Sequence, residues 1–373
     1  MQQSILSGPS SYKNWKMHEQ DCDLNCILEF PLYTDAKITN EIANDLGPYA
    51  IINTFTQGEA GVVQPRLILR AKVYRYYDVP TSCETDDSNY HGGGIEDEIA
   101  ALISLFMGIR VKAGDVSRIF SSYDDPLGRP YAPSHLKNIP PLMLDKRRLK
   151  IPAAIGCHAL NLDLLKILPT LQSDQAVALI RAARLYQNAL WLSESEPALS
   201  WVMFVSALEA GANSWYQDQD SPIFLLKKCK REMYDKLTSS CSEDVTDFVA
   251  ERIAPTLRAT SKFIKFVIKF LPPQPATSLP KCYRITWSKN KMQRYLSKIY
   301  DYRSVSLHQG LPFPEPMCRH PDEIDGSFFE KPGGLAQHSL GSTWKCDDLP
   351  MYLHVFEYIT RNVLINWMHS LKS

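Results

Sequence analysis

Arg303 and His308 are the two residues of this 373-residue sequence whose types and spacing best fit a chemical reaction. An arginine carries a permanent cation whose planar N–H groups match a phosphate, and a histidine can take up or release a proton near neutral pH. Cleavage of RNA by its own 2′-hydroxyl needs one group to move protons and another to stabilise the charged phosphorane. The pair therefore predicts cleavage chemistry that needs no metal ion.

The spacing of this pair constrains the helix that must position it. Residues 289–308 are predicted to form a helix, and five positions on a helix turn through about 500°, which leaves the two side chains about 140° apart. Gly310 and Pro312 predict the end of this helix, so His308 lies in its last turn, where the helix dipole favours a cation. The pair can act together if the helix ends locally, or if two copies of the chain meet and share a cleft.

The second half of the sequence has helical periodicity. Apolar side chains recur at helical spacing over residues 174–192. Residues 197–211 are nearly all apolar, with a proline at the start and a glycine at the end, which predicts a buried helix. Two further helices are predicted over residues 244–270 and 349–371. Residues 151–373 therefore read as a helical domain.

The first 150 residues have a mixed pattern that predicts an α+β domain. Residues 26–33 and 61–77 are rich in β-branched and aromatic side chains, which favour strands. A helix is predicted from Glu96, with acidic residues in its first turn and Gly108 near its end. Residues 122–152 are rich in proline and are interpreted as an interdomain crossing or a long packed loop.

Two other groups of residues have suitable types for a site but not the expected spacing. The string His91-Gly-Gly-Gly is similar to the oxyanion hole of some esterases, but the sequence has no Gly-x-Ser-x-Gly motif, so we interpret it as a turn before the helix. Cys318, His320, His338 and Cys346 could ligate a metal, but their spacing matches no paired zinc motif. The sequence therefore predicts neither a metal nor another cofactor.

Composition and charge exclude several classes of protein. Lys and Arg number 41 and Asp and Glu number 41, which argues against a protein that coats nucleic acid indiscriminately. Hydrophobic residues make up 45% of the chain, enough to build a core. We expect no membrane span and no secretory signal. The nine cysteines are odd in number and scattered, which is typical of reduced thiols in a cytoplasmic protein.

The neutral total conceals one basic segment. Residues 251–303 contain twelve Lys or Arg against two Asp or Glu, and aromatic residues interleave with them. This pattern suits single-stranded RNA, which offers phosphates and stackable bases. Over residues 262–270 it favours instead a helix with a solvated lysine face and a phenylalanine core. We therefore expect RNA to bind nearer the motif, at Lys289, Lys291 and Arg294.

The sequence from residue 175 to its end resembles the HEPN superfamily, in its Apea-like branch. The similarity lies in three stretches and a closing helix. The stretches are Arg184-Leu-Tyr-Gln-Asn-Ala-Leu, Ala198-Leu-Ser-Trp-Val-Met-Phe-Val-Ser-Ala-Leu-Glu-Ala and Tyr302-Arg-Ser-Val-Ser-Leu-His-Gln-Gly. The resemblance implies an all-α helical bundle that forms a homodimer, in which the Arg-x4–6-His motifs of both copies make one cleft.

The resemblance also implies an activity and the residues that perform it. It implies a metal-independent endoribonuclease, commonly a toxin or an antiphage defence effector, with Arg303 and His308 as the catalytic pair. Glu209 matches an acidic position beside that pair and could orient either residue. Tyr302 and Ser304 flank the arginine as further RNA-binding candidates. The alternative is a non-catalytic HEPN module that binds RNA, nucleotide or a protein partner, and the N-terminal region is expected to sense an activating ligand or partner.

Overall fold

The computed structural model describes residues 7–371 apart from seven gaps, at residues 56–58, 75–84, 122–124, 133–134, 143, 146–147 and 217–220. The described chain has a sheet-rich N-terminal region and a helical C-terminal part. This agrees with the predicted order of an α+β region followed by helices. None of the described helices is long and apolar enough to cross a lipid bilayer.

A seven-stranded sheet dominates the N-terminal region. Its central strand β1 pairs antiparallel with β5 on one side and with β6 and β7 on the other, and the order along the sheet is β3-β4-β5-β1-β7-β8. A separate strand, β2, pairs in parallel with β9. The strands are β1 (Leu24–Thr34), β2 (Lys37–Thr39), β3 (Ile42–Leu46), β4 (Tyr49–Asn53), β5 (Gln64–Tyr74), β6 (Lys112–Ala113), β7 (Arg118–Ser121), β8 (Arg129–Pro130) and β9 (Cys157–Ala159).

The two strands predicted from the sequence are confirmed as β1 and β5, and the end of the second prediction, residues 75–77, lies outside the described residues. In β5, Leu67, Leu69 and Ala71 are fully buried and alternate with more exposed positions, as a half-buried strand requires. Helix α1 (Ser10–Glu19) packs on the sheet through Trp15. Its ring meets the ring of Tyr49 in β4 edge-on, with 5.6 Å between the ring centroids.

Helix α2 (Ile95–Met107) confirms the helix predicted from Glu96. Three acidic residues lie in its first turn, and Gly108 ends it in the left-handed conformation, with φ 68°. Of the preceding glycines, Gly92 lies in a bend with φ 77° and Gly94 is the N-cap of the helix. His91 does not face an open site there, because its Nε2 lies 2.7 Å from Oε1 of the buried Glu98, which also accepts hydrogen bonds from the backbone of Ser10 and Ser11.

Seven long or medium helices make up most of the chain from residue 173 onward. They are α3 (Ser173–Leu192), α4 (Pro197–Trp215), α5 (Pro222–Cys229), α6 (Arg231–Ser240), α7 (Glu243–Lys269), α8 (Lys289–Gln309) and α9 (Leu353–Ser370). Two hairpins, β10–β11 and β12–β13, lie between the last two helices. Their strands are β10 (Glu323–Ile324), β11 (Ser327–Phe328), β12 (Ala336–Ser339) and β13 (Ser342–Lys345).

Two predicted helix boundaries are wrong. Helix α4 continues four residues beyond Gly211, because that glycine lies inside the bundle and not at a helix end. Helix α9 begins at Leu353 and not at residue 349, because Leu349, which precedes Pro350, has the non-helical angles φ −115° and ψ 77° and Tyr352 is extended. The other predicted helices of this part agree with α3, α7 and α8 to within about a residue at each end.

A continuous hydrophobic core joins the sheet to the helices. Trp201 of α4 is fully buried and stacks between Phe313, at 5.3 Å, and Phe356 of α9, at 4.8 Å. The same cluster of buried side chains extends through α3 and α2 to Leu67 and Leu69 of β5. The helices that carry the candidate site are therefore packed on the same core as the N-terminal sheet.

We expect Gly211→Ala to destabilise the fold by about 1–3 kcal/mol, because an added methyl would overpack the bundle. A Cβ at this position would lie 2.8 Å from Cζ of Phe266 in α7 and 3.2 Å from Cδ2 of Leu364 in α9. The urea midpoint of unfolding measures the change. Gly326→Ala serves as the comparison for steric crowding, since a Cβ there has no atom within 4 Å, although its φ of +75° adds a backbone cost.

We expect the free energy of unfolding to fall as the pH drops from about 6.5 towards 4, in part through His354. Burial lowers the pKa of this histidine to about 4. The unfolded chain therefore binds a proton over a pH range in which the folded chain does not, which favours unfolding. Melting temperatures of His354→Gln between pH 4 and 7 should show a shallower pH dependence than the natural chain. His338→Gln, at an exposed histidine, should leave that dependence unchanged.

Candidate functional site

The centre of the candidate site is a carboxylate on α4 held between two side chains of α8. Nη2 of Arg303 donates to Oε2 of Glu209 at 2.6 Å, and the hydroxyl of Tyr300 donates to Oε1 at 2.8 Å. The guanidinium also lies over the Tyr300 ring, with Cζ 5.7 Å from the ring centroid. Both carboxylate oxygens are thus engaged, and the arginine is fixed by an ion pair and a cation–π contact.

Arg303 keeps hydrogen-bonding capacity that Glu209 does not use. The guanidinium has five N–H donors, and Glu209 is its one hydrogen-bond acceptor among the described residues. The Nε atom of Arg303 is buried and has no hydrogen-bond acceptor among the residues that the structure describes. Burial and the neighbouring carboxylate together raise the pKa of Tyr300, so this tyrosine stays a protonated donor to Glu209. The arrangement positions Arg303 and leaves N–H groups for another anion.

A polar cleft of about 870 Å³ opens above this network and contains Arg303 and Glu209 in its lining. The start of α3 and one side of α4 supply two of its walls, through Ser173, Asp174, Asn213 and Ser214. Ser88 and Asn89 of the N-terminal region also line the cleft. The cleft therefore lies between the helical part of the chain and a loop of the N-terminal region.

Arg181 of α3 holds that loop against the helices. Its Nη2 donates to the carbonyl oxygens of Ser88 and Tyr90, both at 2.8 Å, and its Nε donates to Tyr90 at 3.0 Å. Sequence reasoning missed Arg181 and the loop as parts of the site. The sequence carried no signal for them, because about 90 positions separate the arginine from its acceptors.

His308 does not enter this cleft. Helix α8 continues without a break through Gln309 and ends at Gly310, which is left-handed with φ 70°. The predicted stop is confirmed, and the alternative in which the helix ends between the two motif residues is wrong. On a regular helix His308 points about 140° away from Arg303, and it is exposed to solvent. One copy of the chain therefore does not bring the pair together.

The three basic residues predicted to bind RNA lie along the exposed part of α8. Lys289, Lys291 and Arg294 are all exposed. A rise of about 1.5 Å per residue places Arg294 roughly 13 Å and Lys289 roughly 21 Å along the helix from Arg303. Arg294 falls within about 40° of His308 around the helix, so the outer face of α8 carries both.

Ser304 and Tyr302, the residues that flank the arginine, have different surroundings. Ser304 is half-buried, about 40° from His308 around α8. The hydroxyl of Tyr302 donates to the carbonyl oxygen of Asp348 at 2.7 Å, and burial raises its pKa to about 12. Tyr302 therefore anchors α8 to the segment before α9.

The aromatic residues of the basic segment are mostly structural. Phe263, Phe266 and Phe270 are buried, which confirms the predicted phenylalanine core of residues 262–270. The predicted lysine face is only partly solvated, because Lys262 and Lys265 are half-buried over the ring of Tyr216. Tyr283 stacks on Phe329 with 3.8 Å between ring centroids. These four rings are thus occupied by internal packing, and the exposed basic residues of α8 are the exposed cations of the segment that lie on the same helix as Arg303.

Within the described part of the chain, no three His, Cys, Asp or Glu side chains come close enough together to hold a metal ion. Of the four residues considered for such a site, His338 contacts the hydroxyl of Thr343 within its own hairpin, and Cys318 is buried. The seven described cysteines are free thiols. A scan against protein-family models finds no match, and searches of curated proteins and of solved structures find none either.

Proposed function

We propose that this chain is a metal-independent HEPN endoribonuclease whose active site is completed when two copies associate. The observation that carries the proposal is the network of Arg303, Glu209 and Tyr300 beneath the polar cleft. It holds a cation with spare N–H donors in a recess large enough for part of an RNA strand. The resemblance of the motif residues to the HEPN superfamily adds the expectation of a toxin or an antiphage defence effector.

The position of His308 supports a site shared between two copies. The histidine is exposed in the last turn of α8, so it can reach a second molecule without any rearrangement of its own chain. Leu307 and Leu311 beside it are 52% and 62% exposed, which is a large exposure for apolar side chains. Burying these leucines against a second copy would be favourable and would place each His308 next to the other chain.

The proposed reaction is attack of a ribose 2′-hydroxyl on the adjacent phosphorus. The bond from O2′ to phosphorus forms and the bond from phosphorus to O5′ breaks, which leaves a 2′,3′-cyclic phosphate and a 5′-hydroxyl. His308 removes the proton of the 2′-hydroxyl and returns it to the departing O5′. Arg303 stabilises the negative charge of the phosphorane, and Glu209 acts as a positioning residue that fixes the guanidinium.

Lys289, Lys291 and Arg294 supply the charge that would guide a strand towards this site. They are exposed on the helix that carries the motif, and phosphate contacts from such residues provide affinity without sequence preference. Ser304 lies between the two catalytic residues in sequence and can donate a hydrogen bond to a phosphate. We expect binding of single-stranded RNA to weaken as salt concentration increases.

Incubation of the purified chain with labelled single-stranded RNA in the presence of EDTA tests the proposal. We expect cleavage to continue with the chelator, and the products to carry 2′,3′-cyclic phosphate and 5′-hydroxyl ends. Loss of cleavage with EDTA and its recovery with a divalent cation would overturn the mechanism. A set of structured and unstructured RNAs is needed, because the choice of RNA determines whether any cut is seen.

One observation favours a second function, the non-catalytic module that binds RNA, nucleotide or a protein partner. Glu209 already neutralises Arg303 within a single copy, and His308 lies outside the cleft, so the isolated chain has the parts of a binding site without an assembled catalytic pair. Tight RNA binding by a dimer with no cleavage of any RNA tested would select this alternative over the nuclease.

A further inference from the structure

A second cavity, of about 630 Å³, lies beside the first two turns of α9 and shares no lining residue with the cleft at Arg303. Its volume is within the range of sites that bind small molecules. Its walls come from residues 152–153, residues 275–277, Trp287 before α8, residues 326–328 with Glu330, and the start of α9. Five separate stretches of chain thus line one cavity that is open to solvent.

Four aromatic rings form much of the wall. Trp287 and Tyr358 meet edge-on, with centroids 6.2 Å apart and planes at 82°. Phe328 and His354 form a second edge-on pair at 6.3 Å and 66°. The faces of the Trp, Tyr and Phe rings are electron-rich and attract cations, most strongly when water is excluded. The cavity therefore offers an apolar surface that favours positive charge.

Two carboxylates are the charged groups of the lining, and no Lys or Arg is among the lining residues. Glu330 is 7% exposed, and its Oε2 accepts from the backbone N–H of Ile285 at 2.7 Å. Glu357 is 6% exposed, and its Oε1 accepts from the hydroxyl of Tyr186 at 2.5 Å. Each carboxylate thus has one oxygen engaged by the protein.

The protein only partly compensates these buried charges. Burial raises the pKa of the Glu330 carboxyl, against the smaller opposing influence of Arg284 and Lys331. Burial also raises the pKa of Glu357, against Arg361 and Arg110. The nearby cations therefore do not fully offset the cost of burial, and the charged form of each carboxyl group is less favourable here than in water. A positive group inside the cavity would reduce that cost.

Two polar atoms of the wall also lack partners. Nε1 of Trp287 and Nδ1 of His354 are buried, and neither has a hydrogen-bond partner among the described residues. Buried polar groups are normally paired, and an unmade hydrogen bond carries a desolvation cost. Neither atom is exposed to solvent, so both lie behind the surface of the cavity, and a ligand there would meet the rings and the two acidic side chains.

We propose that this cavity binds a small organic cation, namely an amine with an aromatic or apolar body. The rings accommodate the body and face the positive charge, and Glu330 and Glu357 attract the ammonium group. The two carboxylates repel an anionic ligand such as a phosphate ester or a carboxylate. This inference does not rest on RNA cleavage, since the cavity and the cleft have no residue in common.

Three probes of nearly equal shape test the charge preference. The full chain is titrated by calorimetry near neutral pH with phenethylamine, 2-phenylethanol and phenylacetate, which carry a positive, a neutral and a negative group. We expect the amine to bind at least about tenfold more tightly than the alcohol, and the alcohol more tightly than phenylacetate. Equal binding of the amine and the alcohol, tighter binding of phenylacetate, or no amine binding up to about 10 mM would each overturn the proposal.

Variants locate the binding in this cavity. Glu330→Gln keeps an oxygen for the Ile285 N–H, and we expect it to weaken amine binding about tenfold while leaving alcohol binding unchanged. Glu315→Gln, at a carboxylate paired with Arg319 outside the cavity, is the matched control. Tyr358→Leu should weaken the amine about threefold, and Tyr358→Phe, which keeps the ring, should not. Unchanged amine binding in both Glu330→Gln and Tyr358→Leu would overturn the assignment.

Discussion

Replacing His308 with alanine is expected to reduce the rate of RNA cleavage by about 10²- to 10⁴-fold, the usual contribution of a group that transfers protons in the transition state. The fold should not change, because His308 is exposed in the last turn of α8. Melting temperature and circular dichroism verify this. The rate is measured with a labelled RNA in EDTA, under conditions in which enzyme exceeds substrate, so that the chemical step is observed.

A neighbouring substitution provides the matched control for His308. Gln309→Ala changes an exposed side chain one position along the same helical turn, and we expect it to alter the rate by less than about threefold. Arg303→Ala should match His308→Ala in its effect on cleavage. Cleavage that persists unchanged in both Arg303→Ala and His308→Ala would rule out the assigned site.

Mixing the two inactive variants tests whether two copies share the active site. A mixed dimer of Arg303→Ala and His308→Ala chains retains one Arg303 and one His308, contributed by different copies. If those residues meet across the dimer, random mixing places about half of the dimers in this state, and we expect activity to return to about a quarter to a half of the natural level. Activity that stays at the level of the separate variants would contradict the shared site.

Replacing Arg110 with methionine is expected to destabilise the protein by about 3–5 kcal/mol, because it leaves buried carboxylates without their counter-charge. Arg110 lies in the short segment of chain that connects α2 to β6, and its side chain is fully buried. Its Nη1 donates to Asp35 at 2.8 Å, its Nη2 donates to Glu194 at 2.9 Å, and its Nε donates to the carbonyl oxygen of Leu190 at 2.8 Å. The residue therefore ties the segment after β1 to the end of α3.

Unfolding in urea measures this loss, and two further variants interpret it. Burial raises the pKa of Asp35 in spite of the arginine, so removal of the arginine should raise it further. Arg110→Met combined with Asp35→Asn should recover part of the lost stability, because one buried charge is removed as well. Arg129→Met, at a side chain that is 88% exposed, should change stability by less than about 0.5 kcal/mol. A similar small effect at Arg110 would contradict the structural role.

The sequence by itself determined the elements that depend on local pattern. Helix α3 and the end of α8 follow from apolar side chains at helical spacing and from a glycine that can adopt a positive φ. Gly108 ends α2 for the same reason. The sequence also indicated that Arg303 and His308 point in different directions on one helix, because the angle between them depends only on their separation of five residues.

The tertiary structure decided which side chains face one another. Arg303 meets Glu209 across 94 positions of sequence, and the loop at Ser88 closes the cleft from the N-terminal region. Gly211 resembled a helix end, but packing against Phe266 makes it a point of close approach within a longer helix. Such features depend on contacts between distant segments, which no local periodicity encodes.

The second cavity illustrates the same limit. Trp287, Glu330 and His354 lie far apart in the chain. No short sequence motif around any of them predicts a binding site. Their convergence depends on how α9 packs against the segments before α8 and around β11. The sequence specified the residue types, and the packing of α9 against those segments brought two carboxylates and four rings around one space.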